Sequence, residues 1–201
     1  AFLLSQMTRH VDRIDGDIAT IEQRITTHLH DALGPAADAA VTRLIAIPGI
    51  NHAVAVAIIA EIGLDMTRFP TSGHLTSWAK FAPSTRSSAG KTLGTGATGH
   101  GNPYLARALA QAAIGASHTK TFLGSRYRRL ARRRGKKKAL VAVGRSILVI
   151  TWHLLSNPDA TYTDLGSDHY DRSRNHDRAV RTHLQALNAL GYVATLNPKA
   201  A

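Results

Sequence analysis

Seven apolar residues, Leu4, Met7, Val11, Ile14, Ile18, Ile21 and Ile25, recur at alternating intervals of three and four. A 3.5-residue period held for three heptads keeps one apolar seam along one side of a helix, and such a seam needs a facing helix to cover it. The spacing predicts a coiled-coil segment over residues 1–34, as a hairpin within the chain or as a dimer, ending where Gly34-Pro35 stops the helix. A long helix packed on its own domain is the plainer alternative. Asp12, Asp15, Asp17 and Glu22 lie among the polar positions; Ile14 breaks the calcium-loop spacing, so they read as a solvated face.

Residues 35–201 read as one helical domain, and the chain as mainly α. A helix is expected over residues 36–46. The segment 44–63, LIAIPGINHAVAVAIIAEIG, then gives a helix, a tight turn at Pro48-Gly49-Ile50 and a second helix from about Ala53. This pattern resembles the helix-hairpin-helix of DNA-binding proteins, in which a glycine permits a close turn and the amides of the second helix face a phosphate. Asn51 stands where a second glycine is usual. A helical hairpin that merely packs fits the same residues. A short helix capped by Thr71 or Ser72 should bury Leu75, Trp78 and Ala79, and Asn102-Pro103 reads as the start of a helix to Ser117. Residues 139–155 read as the central core helix. A last helix over about 175–190 stops at Gly191, and the tail after Tyr192 reads as one short extended segment.

Charge bounds the partners. The 201 residues carry 25 Lys and Arg against 13 Asp and Glu, a net charge of +12. That excess asks for a polyanion, most simply nucleic acid. Nine of the thirteen residues 126–138, RYRRLARRRGKKK, are basic: Arg126, Arg128, Arg129, Arg132, Arg133, Arg134, Lys136, Lys137 and Lys138. Like charges at this density repel one another, so phosphate contact outweighs a merely solvated face. Tyr127 and Leu130 are candidates to anchor the segment. Asp159, Asp164, Asp168 and Asp171 lack metal-ligand spacing and read as caps or partners of the basic run. There is no cysteine, hence no disulfide or thiol nucleophile. The N-terminus lacks a signal-peptide layout, and the longest apolar run, residues 139–155, is interrupted by Gly144, Arg145 and His153, so no membrane role is expected. The chain opens on Ala1 in mid-pattern and reads as a fragment of something longer.

The segment 83–103 reads as a polar loop and poses the chemical question. It holds RSSAGKTLGTGATGHGNP, with five glycines, Ser87, Ser88, Arg86, Lys91 and His100. AGKT copies the end of a nucleotide-binding P-loop, but the required first glycine is Thr85 and no strand precedes it. No G-x-S-x-G supports a hydrolase elbow. A plain linker remains open. So does a serine that attacks a phosphodiester among cations and glycine amides able to stabilise the developing charge.

Taken in order, the heptad helix, IPGINHAVAVAIIAEIG, RFPTSGHLTSWAKFAPSTRSSAGK, GHGNPYLARAL, YRRLARRRGKKKALVAVGRSIL and YTDLGSDHY closely resemble the C-terminal part of the serine transposases of the insertion-sequence one-hundred-and-ten family, over nearly the whole chain. The resemblance implies DNA recombination guided by a structured RNA, in a protein whose RuvC-like nuclease domain, coiled coil and serine-bearing helical domain follow in that order. It places the nucleophile at Ser88, with Ser87 second, in the run Pro83, Arg86, Ser87, Ser88, Ala89, Gly90, Lys91, where Arg86 and Lys91 stabilise the phosphate. Ala89 and Lys80 stand where family members have glycine. Gly101-Asn102 matches a family Gly-Asn before a helix. The resemblance further implies DNA and guide RNA as partners, a homo-oligomer through the coiled coil and a cytoplasmic, nucleoid-associated location. No cofactor is assigned to this chain; Mg2+ would belong to a RuvC-like domain before Ala1. The rival reading is a non-catalytic helix-hairpin-helix protein that holds DNA through Gly49 and the basic run. A third is a coiled-coil dimerisation remnant without nucleic-acid affinity.

Overall fold

The structure is a computed structural model that describes residues 2–82, 85–88, 91–95, 99–172, 176–193 and 195, with residues 85–88, 91–95, 171–172 and 176–179 taken as backbone only. The fold is mainly α. Helix α1 (Phe2–Leu33) carries the heptad seam and buries none of it: Leu4 is 70% exposed and Ile25 still 47%, and nothing among the described residues covers them. Gly34, at φ +69°, ends the helix and Pro35 begins α2 (Pro35–Ile45). A 2.7 Å contact between His30 Nδ1 and the Asp38 carboxylate bridges that corner.

Below α1 the chain closes on a core of aliphatic side chains. α2 and α3 (His52–Ile62) are joined by the turn at 46–51, and Asn51 caps α3 by accepting from the Val54 amide at 2.9 Å. Leu44, Ile47, Ile58, Ile59 and Ile62 are fully buried there. After a 3₁₀ turn (Met66–Arg68), α4 (Ser72–Trp78) begins on Thr71, whose hydroxyl caps the His74 amide. Leu75 and Ala79 are core as expected, but Trp78 is 43% exposed. Its ring lies tilted on Phe69 at the rim, where a large indole can cover core without entering it.

The central element is α7 (Lys136–Ser156), which touches α2, α4, α5 (Pro103–Ser117) and α6 (Phe122–Arg134) and buries Val143, Ile147, Leu148 and Leu154. It is long and apolar enough to cross a membrane. Here its apolar face is the middle of the core, and Trp152 Nε1 donates to the Phe69 carbonyl at 2.9 Å. A short α8 (His169–Arg172) and α9 (His176–Ala189) follow, with Gly191 at φ +85° after the last helix. Tyr192 and Val193 form no strand, and most of the expected extended tail lies outside the described residues.

The chain is not wholly helical. Residues expected as a polar loop form a two-stranded antiparallel hairpin, β1 (Thr85–Ser88) and β2 (Lys91–Thr95).

Candidate nucleic-acid interface and serine hairpin

The register of the hairpin gathers the four residues singled out for chemistry. Thr85 pairs with Thr95, Arg86 with Gly94, Ser87 with Thr92 and Ser88 with Lys91, with an irregularity between Arg86 and Ser87. Ser88 is therefore the last residue of its strand, with Lys91 as its direct cross-strand neighbour, and partners in such a ladder stand about 4.5–5.5 Å apart at Cα. The unpaired residue at that step is Leu93, so the bulge lies in β2, opposite the Arg86–Ser87 step, and such bulges are often found beside sites. Pro83, Ala89 and Gly90 lie outside the described residues. The missed signal was Ala89-Gly90 between two runs rich in Thr and Ser: two residues ending in glycine between such runs read as a hairpin turn.

The base of the hairpin is clamped to the helical body. On the entering side Lys80 takes φ +59°, the one left-handed non-glycine among the described residues. A side chain there costs roughly 1–2 kcal/mol, which accounts physically for the expectation of glycine at this position. The Phe81 amide donates to the Thr76 carbonyl at 2.9 Å, and the Phe81 ring lies so close to Gly144 of α7 that a methyl group there would meet it at 2.9 Å. On the leaving side Gly101 passes so near Ala79 that a Cβ would sit 2.7 Å from its carbonyl oxygen. Asn102 then accepts from the Tyr104 and Leu105 amides at 2.9 and 3.2 Å, capping α5, while its amide nitrogen donates to Glu61 at the end of α3. One asparagine thus ties the hairpin's exit, α5 and α3 together.

Gly49, proposed for phosphate contact, has φ +92° and packs its backbone on α5: a Cβ would lie 2.2 Å from the Ala112 carbonyl oxygen. Only glycine fits, because the turn and the helix approach backbone to backbone.

The basic run divides in two. Tyr170 receives a hydrogen bond from Arg126 at 2.9 Å and lies under the Arg129 guanidinium, 4.2 Å from its carbon, while its ring stacks on Phe122. Arg128 donates to the Thr119 carbonyl at 3.0 Å. Asp164 accepts from the Phe122 amide at 3.0 Å, from the Gly166 amide at 3.0 Å and from the Tyr162 hydroxyl at 3.0 Å, so an acid of the 159–171 stretch caps α6. Burial, then the Asp164 carboxylate, hold the Tyr162 phenol well above its ordinary pKa. By contrast Arg132, Arg133, Arg134, Lys136, Lys137 and Lys138 are all exposed around the corner where Gly135, at φ +84°, separates α6 from α7. Three arginines at the end of α6 suit its dipole. Three lysines at the start of α7 oppose it, and that helix has neither an acid in its first turn nor a side-chain cap. Such a corner is relieved by an anion.

The surrounding sequence offers none. Residues 66–158 contain no Asp or Glu, yet hold sixteen of the chain's twenty-five Lys and Arg. Among the described residues no group of three His, Asp or Glu could hold a metal.

Residues 41–128 match the family model described as the transposase IS116/IS110/IS902 family. The chain is 28% identical over 158 residues to a probable family 20 transposase of Pseudomonas aeruginosa, covering 77% of this chain and 45% of that protein. It is 31% identical over 113 residues to an insertion element IS110 uncharacterized 43.6 kDa protein of Streptomyces coelicolor, covering 56% of this chain and 28% of that one. The chain thus spans less than half the length of these curated relatives. The transposase match contains Gly49, the whole hairpin and α5, and stops inside α6, so the exposed cationic corner lies beyond it.

Proposed function

We propose that this chain is the DNA-handling part of a transposase in which Ser88 attacks a DNA phosphodiester. The observation that carries the reading is the hairpin register, with Ser88 opposite Lys91 and Arg86 on the same strand, inside the segment that matches the transposase family. In the attack the Ser88 Oγ–P bond forms and one P–O bond to deoxyribose breaks. The serine proton leaves to a base and the departing sugar hydroxyl gains one. One phosphodiester is exchanged for another, so the reverse step rejoins DNA without an outside energy source. Arg86 and Lys91 offset the charge that builds on the phosphorus oxygens, the role such cations play best in a water-poor site. Magnesium, RNA guidance and a nuclease domain are what the family resemblance implies, and no step here runs through them. A second copy of the chain would cover the α1 seam.

The test joins the chain to a family nuclease domain, guide RNA and DNA and looks for a protein–DNA adduct that survives denaturation. Wild type and Ser87→Ala should give it and Ser88→Ala should not; an adduct from Ser88→Ala overturns the assignment. A non-catalytic DNA-binding protein would give no adduct from any variant. It would still bind through the cationic corner, which is the feature that favours this second reading.

A further inference from the structure

We propose that the outward face of α5 is a platform for a single strand of DNA, continuing from the serine hairpin. This rests on the nucleic-acid reading above and adds a surface that the basic run does not include. α5 buries Leu105, Ala108, Leu109, Ala112, Ala113 and Ala116 on one side. Its other side presents Tyr104, Arg107, Gln111 and Ile114, which at 100° per residue fall within an arc of about 80°. All four are exposed, Tyr104 by 67% and Ile114 by 48%. The Tyr104 hydroxyl has no hydrogen-bond partner among the described residues, so the fold makes no use of its polar end. From Tyr104 to Ile114 the row runs about 15 Å along the helix. At its far end it opens into a groove of about 530 Å³ between α5 and the turn at Gly49, Ile50 and Asn51.

Two observations choose the occupant. The first is charge. None of the four residues is acidic and Arg107 stands among them, while the carboxylate at the start of the row, Glu61, is engaged by the Asn102 amide. The second is continuity. Tyr104 is in the first turn of α5, directly after Asn102, the residue that clamps the hairpin's exit. The base of the serine hairpin, where Gly101 passes Ala79, thus adjoins the start of this row. Cutting and rejoining to a new partner leaves bases beside the break unpaired, and an unpaired base exposes a π-face. An exposed tyrosine ring supplies the matching stack, Arg107 a phosphate contact and Gln111 a hydrogen-bonding edge; a ring beside a cation is the usual make-up of single-strand platforms.

The test uses fluorescence anisotropy of the whole chain with a mixed-sequence single-stranded DNA of about 16 nucleotides. Tyr104→Ala should weaken binding about fivefold to a hundredfold with an unchanged salt slope, whereas Tyr104→Phe, which keeps the ring, should bind as wild type. Arg107→Gln should weaken binding and reduce the slope of log affinity on log salt by about 0.7. Wild-type affinity in both Tyr104→Ala and Arg107→Gln, alongside loss in a Lys136→Gln, Lys137→Gln, Lys138→Gln triple variant, overturns the α5 platform and leaves the nucleic-acid reading standing. No salt-dependent affinity in wild type overturns both.

Discussion

The two halves of the basic run share a composition and differ in use. Arg126 and Arg128 are half-buried and bond to Tyr170 and the Thr119 carbonyl, and Arg129, though exposed, lies over the Tyr170 ring. Arg132 to Arg134 and Lys136 to Lys138 are exposed. The difference arises because residues 157–170 pass over the first half of α6 and Asp164 caps its start, while nothing among the described residues reaches the corner at Gly135. A cation's neighbours, more than its charge, decide whether it holds the fold or awaits a phosphate.

The largest effect should come from emptying the outer half. With all six outer cations changed to Gln, affinity for duplex DNA should fall by at least about a thousandfold near 50 mM salt, and the salt slope should flatten by about five. Binding isotherms between 50 and 200 mM salt measure both. An unchanged slope would mean that the inner arginines carry the contact and would reverse the comparison.

The inner half should answer in stability instead. Tyr170→Ala removes the acceptor for Arg126, the ring under Arg129 and the stack on Phe122. Arg126 Nε is already buried without a partner. The expected loss is about 2–3 kcal/mol by denaturant melts, from the stranded guanidinium and the lost ring contacts together, with little change in salt slope.

How this division was read, or not, from the sequence shows where such reading stops. α1, α5 and α7 were legible because their apolar residues keep a helical period, and the Thr71 and Asn102 caps because the residue type itself marks a start. The hairpin was hidden. Its strands are four and five residues long and rich in polar and small residues, too short for a period to register. The tie between Arg126 and Tyr170 spans 44 residues, and no local pattern carries a contact of that range. At the candidate site the sequence named Arg86, Ser87, Ser88 and Lys91, but only pairing puts Ser88 opposite Lys91. At Lys80 it registered a departure from glycine; the left-handed backbone gives the reason.

A smaller effect sharpens the inner side. Tyr162→Phe removes one hydrogen bond to Asp164 and leaves that carboxylate its two amide donors, at a cost of about 1 kcal/mol near neutral pH. Because the folded state raises the Tyr162 pKa above its unfolded value near 10, its contribution is complete below about pH 10 and fades as pH rises beyond that. Thermal melts of both proteins should therefore converge in strong alkali. A gap that widens above pH 10 would mean that the phenol ionises more readily in the fold than out of it.

The smallest effect is the most pointed, since it should move stability and binding in opposite directions. Lys136 is the first residue of α7, a helix whose start has no acid and no side-chain cap. Glu at this position meets the positive end of the helix dipole and also lowers the repulsion among Lys137, Lys138 and the α6 arginines. Lys136→Glu should stabilise the fold by about 0.3–1 kcal/mol at low salt, an advantage that shrinks as salt screens it. The same change removes one phosphate contact and adds a like charge beside the DNA, so affinity should fall and the salt slope should flatten by about one or slightly more. Melts and binding isotherms on one preparation decide it. If Lys136→Glu is less stable as well as weaker in binding, the corner at Gly135 is part of what holds the fold, and the division between inner and outer cations falls at α6 rather than at the exposed turn.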